Sequence, residues 1–178
     1  MVDRGVGKMM YIISQVMETS SLIATLVSYH LKTKRNIFKV MCLANVLDII
    51  HYLFLNAYSG FGTKIIALIR NIFILKKEKY KKLDSSVFLI LFLIGYIVMF
   101  ILTYNNIFSI LPFLAAIIYM IVVWDGNELQ IKRCAYMCYY LWLIYNISIF
   151  SVAGVISIII SLISTYIAYY NEKRRALK

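Results

Sequence analysis

Val87 to Thr103 is a run of seventeen residues without a single charge, VFLILFLIGYIVMFILT. Its length matches the apolar thickness of a bilayer crossed by a helix, and similar runs recur along the whole chain. In lipid each backbone N–H and C=O must find its partner inside the protein, which leaves helices and closed barrels. With 7 Gly and 1 Pro in 178 residues, the chain lacks the turn chemistry of many short strands. Its apolar runs are also too long for the ten-residue alternating segments of a barrel. A composition that is 62% hydrophobic exceeds that of a soluble domain. The expected class is an all-α integral membrane protein.

Seven spans are read, at about 9–31, 37–57, 60–75, 86–104, 107–124, 134–150 and 153–170. Net charge is +11, and the basic residues are not spread evenly. Four follow the first span (Lys32, Lys34, Arg35, Lys39) and five the third (Lys76, Lys77, Lys79, Lys81, Lys82). Two follow the fifth (Lys132, Arg133) and four the seventh (Lys173, Arg174, Arg175, Lys178), fifteen of 19 in all. The alternate connections, 58–62, 104–106 and 151–152, carry none. The positive-inside rule then sets the N-terminus outside and the C-terminus in the cytoplasm. Basic residues gathered mostly between apolar segments, with Lys64 and Arg70 inside the third, fit topology and anionic headgroups, so no nucleic-acid partner is expected. Cys42, Cys134 and Cys138 sit in apolar segments as small hydrophobes, without the companions of a metal site. No cleavable leader, metal or cofactor is expected.

The second half overlays the first without a gap at an offset of 94 residues. Leu47 meets Leu141, Gly60 meets Gly154, Lys39 meets Arg133 and Glu78-Lys79 meets Glu172-Lys173. Segment 86–104 has no counterpart. The expected organisation is therefore a three-helix bundle over 9–82, a linker helix over 83–105 and a second three-helix bundle over 106–175. One extra span restores the orientation of the second unit, giving parallel repeats of a kind found among transporters.

Polar residues fall on single helix faces. Ser14, Glu18, Ser21, Thr25 and Ser28 recur at steps of 4, 3, 4 and 3, and Asn45, Asp48, Tyr52 and Asn56 do likewise with His51 beside them. Gly60, Thr63, Ala67 and Arg70 form a third stripe, Tyr139, Trp142 and Asn146 a fourth, and Gly154, Ser157, Ser161 and Ser164 a fifth. Small residues alone are explained by close helix packing. Charges are not, because each one at the bilayer centre costs about 2.5–3.5 kcal/mol on insertion. Counting from span ends sets Glu18, Asp48 and Arg70 at comparable depth, with Arg70 expected to pair with Asp48 or Glu18. Lys64 lies near the outer end and is expected to snorkel to the interface. His51 is open to two readings, a satisfied core histidine or a proton-coupled group beside Asp48. The candidate central site comprises Glu18, Asp48, His51, Arg70, Asn71, Trp142, Tyr145 and Asn146. Pro112 is read as interior to the fifth span and a hinge. "SGFG", Ser59 to Gly62, is read as a short exposed turn rather than a phosphate loop.

IIHYLFLNAYSGFGTKIIALIRN, ILPFLAAIIYMIVVW and LWLIYNISIFSVAGVISIIISLIS resemble segments of the YgjV family of bacterial inner-membrane proteins, with Asn56 standing where that family's pattern has Gly. The resemblance implies a multi-pass protein of the bacterial cytoplasmic (inner) membrane. The 3+1+3 architecture is more distantly similar to SWEET and PQ-loop transporters, in which substrate sits between two bundles and first-helix prolines act as hinges. Here Pro112 is kept, the Pro-Gln dipeptide is missing from both halves and Glu18 takes the proline's place in the first. The implied function is a SWEET-like transporter or facilitator of a small polar solute, with proton coupling through Asp48 and His51. The alternative is a non-transporting scaffold, assembly factor or sensor in which the charges only hold the bundle. No GxSxG or HExxH pattern is present, and no enzyme activity is expected. The bilayer and a small-molecule solute are the expected partners, and homo-oligomerisation is left open.

Overall fold

The computed structural model describes residues 2–77, 80 and 86–176. Glu78, Lys79, Lys81, Lys82 and Lys178, and the boundary expected at 82–83, lie outside these. Among the described residues seven α-helices follow one another: α1 Val2–His30, α2 Lys34–Phe54, α3 Tyr58–Lys77, α4 Ser86–Thr103, α5 Ile110–Asp125, α6 Glu128–Ser148 and α7 Val152–Ala176. A 3-10 turn over Ile107–Ser109 leads into α5. Six of the helices are long and apolar enough to cross a membrane. Helix α6 is less apolar, because its first turns carry Glu128, Lys132 and Arg133, but it packs between α5 and α7 like the others. Lys132 and Arg133 thus belong to a helix and not to a connection; Lys132 is only 2% exposed.

Local sequence explains the helix starts. The Thr33 hydroxyl accepts from the Asn36 N–H to cap α2, and Asn127 and Gln130 form a reciprocal capping box at the start of α6. Asn106 and Ser109 do the same for the 3-10 turn. Pro112 lies in the first turn of α5 and not in a helix interior. The Ile110 N–H donates to the Ile107 carbonyl, closing the 3-10 turn just ahead of the proline. A proline in the first turn gives up no hydrogen bond within its own helix, because the first N–H groups have no partner there.

The turn between α2 and α3 is tighter than expected, and Ser59–Gly62 belongs to α3. Asn56 reverses the chain with φ 53°, a left-handed conformation that asparagine tolerates better than other residues with a Cβ. The Ala57 N–H bonds to the Tyr52 carbonyl and the Phe61 N–H to the Ala57 carbonyl. The same pattern recurs 94 residues later: Phe150 has φ 54°, Ser151 donates to the Asn146 carbonyl and Val155 to the Ser151 carbonyl. Glycines follow both turns at equivalent places. A Cβ on Gly60 would lie 2.8 Å from the Tyr52 ring, and one on Gly154 would overlap the Asn146 side chain.

Helix packing closes a ring. Helix α1 packs on α2 and α7, α2 on α3, α3 on α5, α5 on α6, and α6 on α7. Helix α4 lies outside, packed mainly against α3 and α5, and its sole buried residue is Tyr96. Its remaining surface, including Val87, Ile90, Ile94, Ile97 and Ile101, is exposed apolar side chain suited to lipid. At one end of the ring the Lys34 amine donates to the Gly126 carbonyl and the Lys34 N–H to Glu128 Oε1, joining the starts of α2 and α6. Lys77 joins the ends of α3 and α5 there, 3.4 Å from Asp125 and 4.2 Å from the Trp124 ring centre. Tyr29, Phe38, Ile74, Met120, Trp124 and Ile131 belong to the larger apolar core, while Tyr52, Ala57 and Tyr145 form a smaller one.

Candidate functional site

The ring encloses a cavity of ≈ 110 Å³ lined by six helices, all but α4. At on the order of 10–15 Å³ per water centre, this is room for several waters or one small solute. Its charged lining residues are Glu18, Asp48, Lys64 and Arg70. Asp48 pairs with Lys64, Oδ2 to Nζ 2.6 Å, and not with Arg70. Its other oxygen accepts from the Ser21 hydroxyl, which fixes the carboxylate against α1. Lys64 also lies 4.6 Å from the centre of the Trp142 ring. It is therefore part of the cavity and not an interfacial anchor.

The length of the α2–α3 turn sets this pairing. Asp48 is six residues before the end of α2 and Lys64 six after the start of α3, so both lie about 9 Å from the turn. Antiparallel neighbours joined by a short turn bring such equidistant positions together. Arg70 is six residues deeper along α3, again about 9 Å. There its Nε and Nη2 donate to Asn71 Oδ1 at 3.1 and 2.9 Å and its Nη1 to the Tyr96 hydroxyl at 3.3 Å. The guanidinium also packs over Tyr119, 5.1 Å from the ring centre. Counting residues away from the turn, instead of from basic residues at the far ends, would have found Lys64.

His51 is fully enclosed. Its Nδ1 is 2.8 Å from the Ser14 carbonyl, which can only accept, so this nitrogen carries a proton. Its Nε2 lies 3.2 Å from the Ser151 hydroxyl and 3.5 Å from Glu18 Oε2. The Gly154 N–H donates to Ser151 Oγ, extending the chain into α7. His51 is thus held between α1 and α7, with Glu18 and Tyr52 between it and the cavity. Glu18 Oε2 itself is buried without a hydrogen-bond partner among the described residues.

The expected site residues divide into two sets. Glu18, Asp48, Arg70 and Trp142 line the cavity. His51, Asn71, Tyr145 and Asn146 lie behind its wall. The Tyr145 hydroxyl is 2.9 Å from Ser59 Oγ and accepts from the Gly60 N–H at 3.0 Å, tying α6 to the start of α3. The Asn146 amide donates to the Trp142 carbonyl at 2.9 Å and faces the Tyr52 hydroxyl at 3.4 Å. Tyr52 and Asn146 are 94 residues apart, the offset of the sequence overlay. Tyr52 also stacks on Trp142, with ring centres 5.7 Å apart. Asn45, Tyr52, Tyr119 and Tyr139 line the cavity as well and were not among the expected site residues. Asn45 and Tyr52 lie on the Asp48 stripe and Tyr139 on that of Trp142, so periodicity carried the signal. For Tyr119 no such stripe was visible.

A multi-helix apolar ring around a small charged cavity defines a polytopic α-helical membrane protein. The sequence model of the family described as Imp-YgjV, bacterial inner membrane protein, matches residues 12–176, and the chain belongs to that family. No curated protein matches the chain, and no solved structure does. Membership gives the location, a bacterial inner membrane, with the bilayer as the surrounding medium.

Proposed function

We propose that the protein is a transporter or facilitator of a small polar solute, built as two parallel three-helix repeats joined by α4. The observation that carries this reading is the cavity. Six helices contribute to it, and it holds an ion pair, a carboxylate and a guanidinium in a chain otherwise made for lipid. Ionisable groups inside a membrane bundle mark solute or ion pathways. The duplicated turns at Asn56 and Phe150 and the equivalent seams, α1 with α7 and α3 with α5, support parallel repeats. The charge distribution supports an external N-terminus and a cytoplasmic C-terminus. Proton coupling runs through Glu18, whose unpartnered oxygen adjoins His51. The reading assigns no covalent chemistry.

A second reading, a scaffold or sensor, is favoured by the closed Asp48–Lys64 pair and by the complete hydrogen bonding of His51. Uptake separates the two. Proteoliposomes holding the full chain are expected to accumulate at least one member of a panel of labelled polyols, sugars, amino acids and carboxylates faster than empty vesicles. A tryptophan placed in the cavity by Ser161→Trp is expected to abolish that uptake. If every solute enters at the rate of empty vesicles, or the blocked variant transports normally, the scaffold reading stands instead.

A further inference from the structure

Arg70 is 2% exposed and lines the cavity, yet all its partners are neutral. Asn71 and Tyr96 accept its hydrogen bonds and Tyr119 covers one face. Among the described residues no carboxylate lies within ion-pair distance; Asp48, the obvious candidate, is taken by Lys64. A guanidinium has five N–H donors. The hydrogen bonds to Asn71 and Tyr96 use three, leaving one on each terminal nitrogen.

A second donor lacks an acceptor nearby. Asn45 Nδ2 is buried without a hydrogen-bond partner, and Asn45 lines the same cavity. Asn45 is one turn from Asp48 towards the start of α2, and Arg70 lies beyond Lys64 in the same direction along the antiparallel α3. Both donors therefore belong to the deeper part of the cavity. Ala67, Ala115 and Ala116 line it too, and such small side chains leave open space among the helices. Buried donors without acceptors are costly, and a buried charge without a counter-charge is more so. Both costs disappear if the occupant brings an anion with several acceptor oxygens. Paired guanidinium N–H groups match the two oxygens of a carboxylate.

We propose that Arg70 and Asn45 form the binding site for the carboxylate of a small solute of a few carbons. The inference rests on the reading of the cavity as a solute site and names the solute's chemical class. It does not depend on whether the solute then crosses the membrane.

The test is binding to the full chain in detergent, read from thermal unfolding as a function of probe concentration. Pyruvate is the main probe, its neutral amide the matched control and inorganic phosphate the competing anion. Pyruvate is expected to stabilise the protein saturably and its amide not to. Arg70→Gln is expected to weaken pyruvate binding by roughly tenfold to a hundredfold. Arg70→Lys should retain part of it. Asn45→Leu leaves the guanidinium in place and provides a second weakened variant should Arg70→Gln not fold. Equal stabilisation by pyruvate and its amide overturns the proposal, as does stabilisation by phosphate alone. No response to pyruvate, acetate or succinate overturns it as well. Carboxylate binding without uptake into proteoliposomes upholds the carboxylate site and removes the transport reading. Uptake of a neutral solute with no carboxylate binding does the reverse.

Discussion

Asp48 and Lys64 show how a charge becomes tolerable inside this bundle. Each alone is expensive to desolvate, and at 2.6 Å they neutralise one another while Ser21 satisfies the second carboxylate oxygen. Breaking the pair by Asp48→Asn or Lys64→Met alone should destabilise the protein by about 3 kcal/mol, because the partner charge is stranded. Removing both together should cost far less than the sum of the two. Thermal unfolding of the four proteins in one detergent measures that coupling, and additive losses would show that the two side chains do not act as a pair. Arg70 follows the opposite logic, since neutral groups hold it and its charge faces the cavity uncompensated.

At the scale of the element, the turns between α2 and α3 and between α6 and α7 share one backbone but differ in how well their residues suit it. Asn56 accommodates the left-handed conformation, whereas Phe150, at φ 54°, carries a bulky side chain there and is 85% exposed. A left-handed residue with a Cβ costs about 1–2 kcal/mol, so Phe150→Gly should stabilise the protein by about 1 kcal/mol. Asn56→Gly should change stability by only a few tenths of that amount. A rise in unfolding midpoint for the first and little change for the second is the expected comparison. Stabilisation by neither would mean that the turn at Phe150 is unstrained. The glycine after each turn has a separate role: Gly60 and Gly154 admit Tyr52 and Asn146, the pair through which α2 and α6 meet.

For the whole molecule, the ring closes through the contacts of α1 with α7 and α3 with α5, while α4 stays peripheral. An outward-facing N-terminus would set the Asn56 turn on the same outer side as the Phe150 turn, with the Lys34 and Lys77 ends in the cytoplasm. Alkaline phosphatase, which is active only outside the cytoplasm, should therefore be active when fused after Asn56 or Phe150. It should be inactive when fused after Lys77 or at the C-terminus. The opposite pattern would invert the topology. The cavity lies inside the ring, so any movement along the α1–α7 or α3–α5 contacts alters its size directly.

Much of this architecture is written in the order of residues. Apolar runs of bilayer length force helices, because no other element satisfies its own backbone in lipid. Periodicity set Glu18, Asp48, Arg70 and Trp142 on faces that do line one cavity, since a helix presents positions three and four apart on one side. The left-handed turn residues Asn56 and Phe150 lie 94 residues apart, the offset of the sequence overlay. The sequence did not reveal which charges meet. That depends on where each turn ends, and a three-residue reversal at Asn56 moved Lys64 to the depth of Asp48 and left Arg70 one step deeper. Nor did it place the Tyr96 hydroxyl of an otherwise unstriped α4 against Arg70. Such contacts join residues far apart in the chain, and only the packing of one helix on another decides them.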